Sequence, residues 1–531
     1  MRNLQLPGRS TVHSMGGMAA TSHPLSTLTA INILQSGGNA IDAAIAACAV
    51  QCVVEPGSTG IGGDCFALYM KEGKGDVIAL NGSGRAPAAA TSEWYVKNAI
   101  AEIERQSPHA VTVPGAIDAW SILLKDHGTM SLGDVLQPAI RYARDGFPLS
   151  QRVAEDWKSN ENILATAPAT RSIFLKDGKA PAYGTVHRQL DHANTLELIA
   201  EKGRKGFYEG SNAEAIVKYL NSIGGLHSMD DFAETSADYV TPIKTDYHGH
   251  QVYECPPNGQ GIIALEILNI MGGMDIGSLD PLSTERLHIE IEASRLAYAD
   301  RDAALADPEM ADVPVERWLS EEHAASMRAR IDRKKAMPVM PLSNLTPHHD
   351  TVYITVVDKD RNAVSFINSI FHGFGSGLMA PGTGVLLQNR GQGFVTDPNH
   401  PCCIAPRKRP MHTIIPGMLV KEGRAVMPFG VMGGDYQATG HAHLLHNIFE
   451  YGMDLQEALD CPRVFPNPGG GPVDVEDGVP DSVKQELSDM GHELIRPVRA
   501  HGGAQAIQID WENGTLRGAS EPRKDGCAIG Y

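Results

Sequence analysis

Thr351 heads an alternating stretch, Asp-Thr-Val-Tyr-Ile-Thr-Val-Val-Asp at 350–358, deep inside a chain of 531 residues. A threonine that becomes a chain terminus can use its own α-amino group as the general base for its hydroxyl, which makes a weak alcohol a nucleophile toward an amide carbonyl. The segment before it, 338–350, is polar, contains prolines and carries His348 and His349, so it reads as an exposed loop. Cleavage between Asp350 and Thr351 would free the amine. The same pattern also describes an ordinary loop-to-strand junction, and nine residues do not separate the two readings.

A second feature with chemical potential is Gly433-Gly434, which follows a predicted strand at 425–431 and precedes a helix starting near Gln437. Two successive backbone N–H groups at a helix start can face a developing oxyanion, and glycine lets a substrate approach the backbone. Alone, a glycine pair is a turn. The glycine-rich run 57–63 lacks the Lys-Ser/Thr ending of a phosphate loop and no dinucleotide fingerprint follows a strand, so no nucleotide is expected. His348-His349 and His441-Ala-His443-x-x-His446 invite a metal reading. No cysteine or carboxylate cluster supports it, so the helical histidines read as polar helix surface and no metal or cofactor is expected.

These residues need elements to hold them. In the alternating stretch Val352, Ile354 and Val356 share one face and Tyr353, Thr355 and Val357 the other. Helices are predicted over 24–53 in two pieces, the first with Leu28, Ile31 and Leu34 on its apolar face, the second rich in alanine and able to pack closely on a sheet. Strands follow at 65–70 and 76–81, helices at 134–146, 192–202 and 213–224, a strand at 245–253, and helices at 262–270, 283–302, 437–452 and 480–491. Residues 303–350 turn charged and rich in Met and Pro, and the best boundary falls at 338–350.

The net charge of −18 argues against nucleic acid or an anionic membrane surface as partner. No apolar run reaches the length of a membrane span, and the N-terminus lacks the apolar core of a signal peptide, so a cytoplasmic protein is expected. Eight cysteines without a CxxC read as free thiols in a reducing compartment.

Read together, the segments resemble the gamma-glutamyltransferase family of N-terminal-nucleophile hydrolases along nearly the whole chain. The matching motifs are Gly62-Gly63-Asp64-Cys65-Phe66-Ala67, Gly84-Arg85-Ala86-Pro87-Ala88, Val113-Pro114-Gly115-Ala116, Gln137-Pro138-Ala139, Pro256-Pro257 with Gly259 and Gly261, Tyr298-Ala299-Asp300-Arg301, Thr351 to Asp358, Gly373-Phe374-Gly375-Ser376-Gly377, Lys408-Arg409-Pro410, Met432-Gly433-Gly434 and Gly518-Ala519-Ser520. The resemblance implies an α+β fold, a four-layer αββα sandwich. It would be built from a large segment, 1–350, and a small segment, 351–531, that form one globular unit. It also implies self-cleavage before Thr351, Thr351 as nucleophile, Ser369 as its hydroxyl partner, Gly433 and Gly434 at the oxyanion, and Arg85 on a substrate carboxylate.

The departures bear on specificity. Against the family pattern, Arg390 stands at a neutral amide position, Gly393 at the aspartate that holds a substrate ammonium, and Phe371 at a substrate-binding Asn. His412-Thr413 replace a serine pair that contacts the substrate carboxylate, and Val352 replaces a second threonine. An ammonium beside Arg390 would be repelled. The reading is therefore a self-processing amide hydrolase acting through an acyl-enzyme on a small carboxylate-bearing amide of oxamate or glutaryl type. It would work as a heterodimer of its own two fragments, alone or as a dimer of heterodimers. The alternatives are a true gamma-glutamyltransferase with Asp435 as a replacement acid, and a non-catalytic binding protein on the same scaffold.

Overall fold

The computed structural model describes residues 5, 8–338 and 351–531. Two seven-stranded sheets face each other. One runs in the order Cys527–Gly530, Met18–Thr21, Val352–Val357, Ala363–Ser369, Asp64–Met70, Ile78–Gly82, Asp238–Val240. The other runs Val12–Ser14, Thr515–Ser520, Gly503–Asp510, Arg424–Met432, Gly417–Lys421, His250–Glu254, Ile243–Tyr247. Every paired neighbour within these two sheets is antiparallel.

Side-chain alternation builds the layers. Tyr353 and Val357 join Phe66, Leu68, Ile367, Met418, Met432 and Ile507 in the core between the sheets. Ile354 and Val356 point the other way, into a core shared with the helix Ala40–Val54. All fifteen residues of that helix are buried, and most are alanine or valine, so its backbone can lie close to the sheet. Its start is secured by a capping box in which Asn39 and Asp42 satisfy each other's backbone donors. On the far face of the second sheet, Phe429, Val431 and Leu419 pack against the helices Gly261–Gly272 and Tyr436–Phe449. The result is helix, sheet, sheet, helix, the expected αββα sandwich.

Several predicted elements differ. The strand read at 245–253 is a hairpin, Ile243–Tyr247 and His250–Glu254, because His248 and Gly249 both take positive φ, 47° and 72°. Leu28 is 44% exposed, so the apolar face of the first helix is carried by Ile31 and Leu34 without it. The stretch 303–338 holds two short helices, Val315–Trp318 and Glu321–Arg328, which the charged composition hid. Residues 339–350, with Asp350, His348 and His349, lie outside the described residues. No described helix is long and apolar enough to cross a membrane. All eight cysteines are free.

Candidate active site

Strand register brings three polar side chains to one end of the first sheet. Val352 pairs with Asn368, so the next pair outward is Thr351 with Ser369; Ser369 in turn pairs with Asp64 on the next strand. Each shares parity with residues of the core between the sheets, so alternation turns all three toward the facing sheet. All are fully buried. From the facing sheet, the strand Arg424–Met432 ends in Gly433-Gly434, and the helix beginning at Tyr436 carries Gln437. The Gln437 Nε2 donates to Thr351 Oγ1 at 3.3 Å, and its Oε1 accepts the Ile415 N–H at 3.1 Å, which fixes the amide's orientation.

The glycines are there for contact as well as for conformation. A Cβ on Gly63 would lie 2.2 Å from the Ser369 carbonyl oxygen, so only glycine lets this loop lie against the strand end. Gly433 and Gly434 have φ of 123° and 60°, and a Cβ on Gly433 would lie 2.8 Å from Gly502 Cα. The turn is braced by Gln260, whose Nε2 donates to the carbonyls of Gly434 at 3.0 Å and Thr413 at 2.9 Å.

Arg390 lies wholly inside this cluster. Its Nη1 donates to Thr413 Oγ1 at 3.0 Å and its Nη2 to Ser369 Oγ at 3.2 Å, while the guanidinium lies 4.2 Å from the centroid of the Phe371 ring. Its Nε has no acceptor among the described residues. Burial lowers its pKa to about 9, against the opposing pull of Asp64 and Asp435, so it remains a cation at neutral pH. Phe371 holds its backbone at φ 79° and donates its N–H to Ser369 Oγ at 3.0 Å. The unusual residues at 371 and 390 are thus one unit, ring against cation.

His412 is also fully buried. Its Nε2 donates to Asp64 Oδ2 at 2.9 Å, and its Nδ1 has no partner among the described residues. Burial, with the Arg390 charge, depresses its pKa to about 3, so it is neutral. Asp64 Oδ1 accepts from Gly84 N–H at 2.9 Å, Gly115 N–H at 3.1 Å and Gln388 Nε2 at 2.9 Å. With the His412 bond, these donors occupy both oxygens.

Of the residues expected from sequence, Thr351, Ser369, Arg390, Thr413 and His412 converge with the Gly433-Gly434 turn. Arg85 is turned elsewhere: its guanidinium meets Glu309 at 2.9 Å, Asp238 at 3.5 Å and Asp307 at 3.9 Å, and it reaches the cluster only through its neighbour Gly84. The helical histidines are not surface. His441, His443 and His446 are buried, His441 bonding Glu254 at 2.7 Å and His443 bonding Glu290 at 3.1 Å, because this helix is covered on all sides. Sequence reasoning assigned no role to Asp64, Gln260, Gln388 or Gln437; an acid opening an otherwise apolar strand was the available signal for Asp64. Two described groups could hold a metal by geometry, His288/Glu292/His492 and Glu266/Asp300/His323. Both are already joined internally, by His288–His492 at 2.7 Å and by His323 to both acids at 3.0 and 2.8 Å.

Known proteins resemble this chain over nearly its full length. It is 40% identical to the glutathione hydrolase-like YwrD proenzyme of Bacillus subtilis over 521 residues, covering 97% of this chain and 98% of that protein. It is 34% identical to the oxamate amidohydrolase proenzyme of Klebsiella pneumoniae over 537 residues, covering 98% and 99%. The crystal structure of cephalosporin acylase from Bacillus halodurans superposes with a TM-score of 0.92 at 40% identity, covering 100% of this chain and 99% of that one. The gamma-glutamyltranspeptidase family model matches residues 26–531, and with these relatives it establishes that the chain belongs to that family of hydrolases and acylases.

Proposed function

We propose that Thr351 is the nucleophile of a self-processing amidohydrolase whose substrate is a small amide with a carboxylate on its acyl part and no α-ammonium. In processing, the Thr351 hydroxyl attacks the carbonyl carbon of residue 350, the peptide bond becomes an ester, and water hydrolyses it to release the new terminus. In turnover the same oxygen attacks the substrate amide while its proton passes to the freed α-amine. The tetrahedral oxyanion faces the backbone at Gly433-Gly434. Collapse expels the amine with that proton, and water repeats the sequence on the ester.

The observation that carries the acyl preference is the Arg390 cation, fully buried and held by two hydroxyls and a ring, with one N–H unpartnered among the described residues. A buried cation attracts an anionic group and repels an ammonium. The name glutathione hydrolase among the relatives favours a second reading, a γ-glutamyl donor. Its required acid is hard to find here: Asp435 is bound to Arg301 at 2.5 Å, and both oxygens of Asp64 are engaged. The test has two parts. Purified protein should run as fragments 1–350 and 351–531, with Thr351→Ala remaining one inactive chain; a small fragment starting elsewhere than Thr351 would sink the nucleophile assignment. On processed enzyme, a glutaryl anilide should exceed the matching γ-glutamyl anilide by at least about tenfold in kcat/KM, and the reverse order would hand the site to the second reading.

A further inference from the structure

A cavity of about 630 Å³ adjoins the cluster and has an uneven charge. One wall is Gly502, whose backbone lies against Gly433. Another is His372, whose ring meets the Phe371 ring edge-on at 4.7 Å and whose Nδ1 lies 2.7 Å from Asn389 Nδ2, next in sequence to Arg390. Its lining includes Arg105, Arg152, Arg496, Arg499 and Lys524 against a single carboxylate, Asp474. In a chain of net charge −18 this is a local inversion.

The cations are only partly neutralised. Arg152 and Arg499 share one carboxylate, Asp156, at 3.0 and 3.4 Å, and the Lys524 charge acts on that same group, helping to hold its pKa down. Asp474 is bound to His501 at 2.8 Å. Arg105 donates to the backbone carbonyls of Gly375, at 2.9 Å, and Gly373. Arg496 pairs with Asp477, both well exposed, where water screens the pair. A concave site lined by one sign of charge focuses the field and concentrates the opposite ion.

We infer that this cavity is the leaving-group subsite, and that it selects amides whose amine portion carries one or more carboxylates. The inference rests on the proposed chemistry at Thr351 and extends it: the acyl carboxylate goes to Arg390, the scissile carbonyl lies at Thr351 and Gly433-Gly434, and the amine half extends past Gly502 into the basic cavity. Arg499 and Arg152 are specificity residues here and touch no reacting atom.

The test varies the leaving group at constant acyl group. Processed enzyme is assayed with the glutaryl amides of 3-aminobenzoate and 3-aminobenzamide, which differ by one charge, and with the γ-glutamyl amides of the same two amines. The carboxylate-bearing amine should give at least about fivefold higher kcat/KM, as charged rim contacts do, and the advantage should shrink in high salt. Arg499→Gln and Arg152→Gln should each bring the kcat/KM ratio of the two amines toward one. Equal rates for the two amines, or an advantage that survives both substitutions, would overturn the subsite. If only the γ-glutamyl pair is hydrolysed, the acyl reading fails while that pair still reports on the cavity. A calorimetric titration with benzene-1,3,5-tricarboxylate reads the cavity without turnover: binding that weakens in both variants supports it, and no binding at low salt rejects it.

Discussion

On the proposed reading, Arg390 is the residue that separates this site from one built for an amino acid ammonium. Its contacts are two hydroxyls and the Phe371 ring, and Asp64 and Asp435 act on it as surrounding charges. Arg390→Gln keeps a hydrogen-bonding group beside Thr413 and Ser369 and removes the charge. Losing a charged hydrogen bond to a substrate carboxylate costs about 1.5–3 kcal/mol. The glutaryl-to-γ-glutamyl ratio of kcat/KM should therefore fall roughly ten- to a hundredfold, and an unchanged ratio would show that Arg390 does not read the acyl group. Restoring an acid at Gly393 is a poor companion change, since its Cβ would lie 2.8 Å from the Met411 carbonyl oxygen.

At the scale of elements, the site depends on how strands end. The Gly433-Gly434 turn converts the strand Arg424–Met432 into the helix Tyr436–Phe449, and the two glycines differ in what they tolerate. At Gly434, φ 60° is a left-handed conformation that alanine adopts at a cost of about 1–2 kcal/mol. At Gly433 a methyl group would meet backbone at Gly502. Gly434→Ala should thus fold and lose about 10²–10³ in kcat, as expected for a disturbed oxyanion donor. Gly433→Ala should lower thermal stability as well. Circular dichroism melts beside kinetics separate the two, and near-full activity in Gly434→Ala would reduce the pair to a turn.

At the scale of the whole molecule, both sheets combine strands from the two sides of the Asp350–Thr351 bond: Val352–Val357 lies beside Met18–Thr21, and Gly417–Lys421 beside His250–Glu254. Among the described residues, the two chain segments share every hydrophobic core. The same burial should make the protein acid-sensitive. Burial lowers His187, His192 and His227 to about 4 and His412, His446 and His492 to about 3. Between about pH 6.5 and 4 the unfolded chain binds protons that the folded state refuses, so stability present above pH 6.5 is lost as pH falls, by up to about 1.4 kcal/mol per pH unit for each histidine. Glu254, Glu266 and Asp358, which burial raises, oppose this but are fewer. The urea midpoint should drop steadily from pH 7 to pH 4.5, and a flat midpoint would contradict the account.

Local sequence was enough to place the alternating strand behind Thr351, the small-residue helix at 40–54, the glycine pair and the family motifs, because alternation, capping and glycine punctuation are properties of neighbours in the chain. It also marked Arg390, Gly393 and Phe371 as departures. Only the tertiary structure decided how they combine. Antiparallel register over strands hundreds of residues apart aligned Asp64, Ser369 and Thr351 on one face. Burial made His412 neutral and its helical relatives at 441–446 interior. Packing seated Arg390 on Phe371 and turned Arg85 toward three acids. Those outcomes depend on which surfaces meet, and that is set by long-range contacts that no short window of sequence contains.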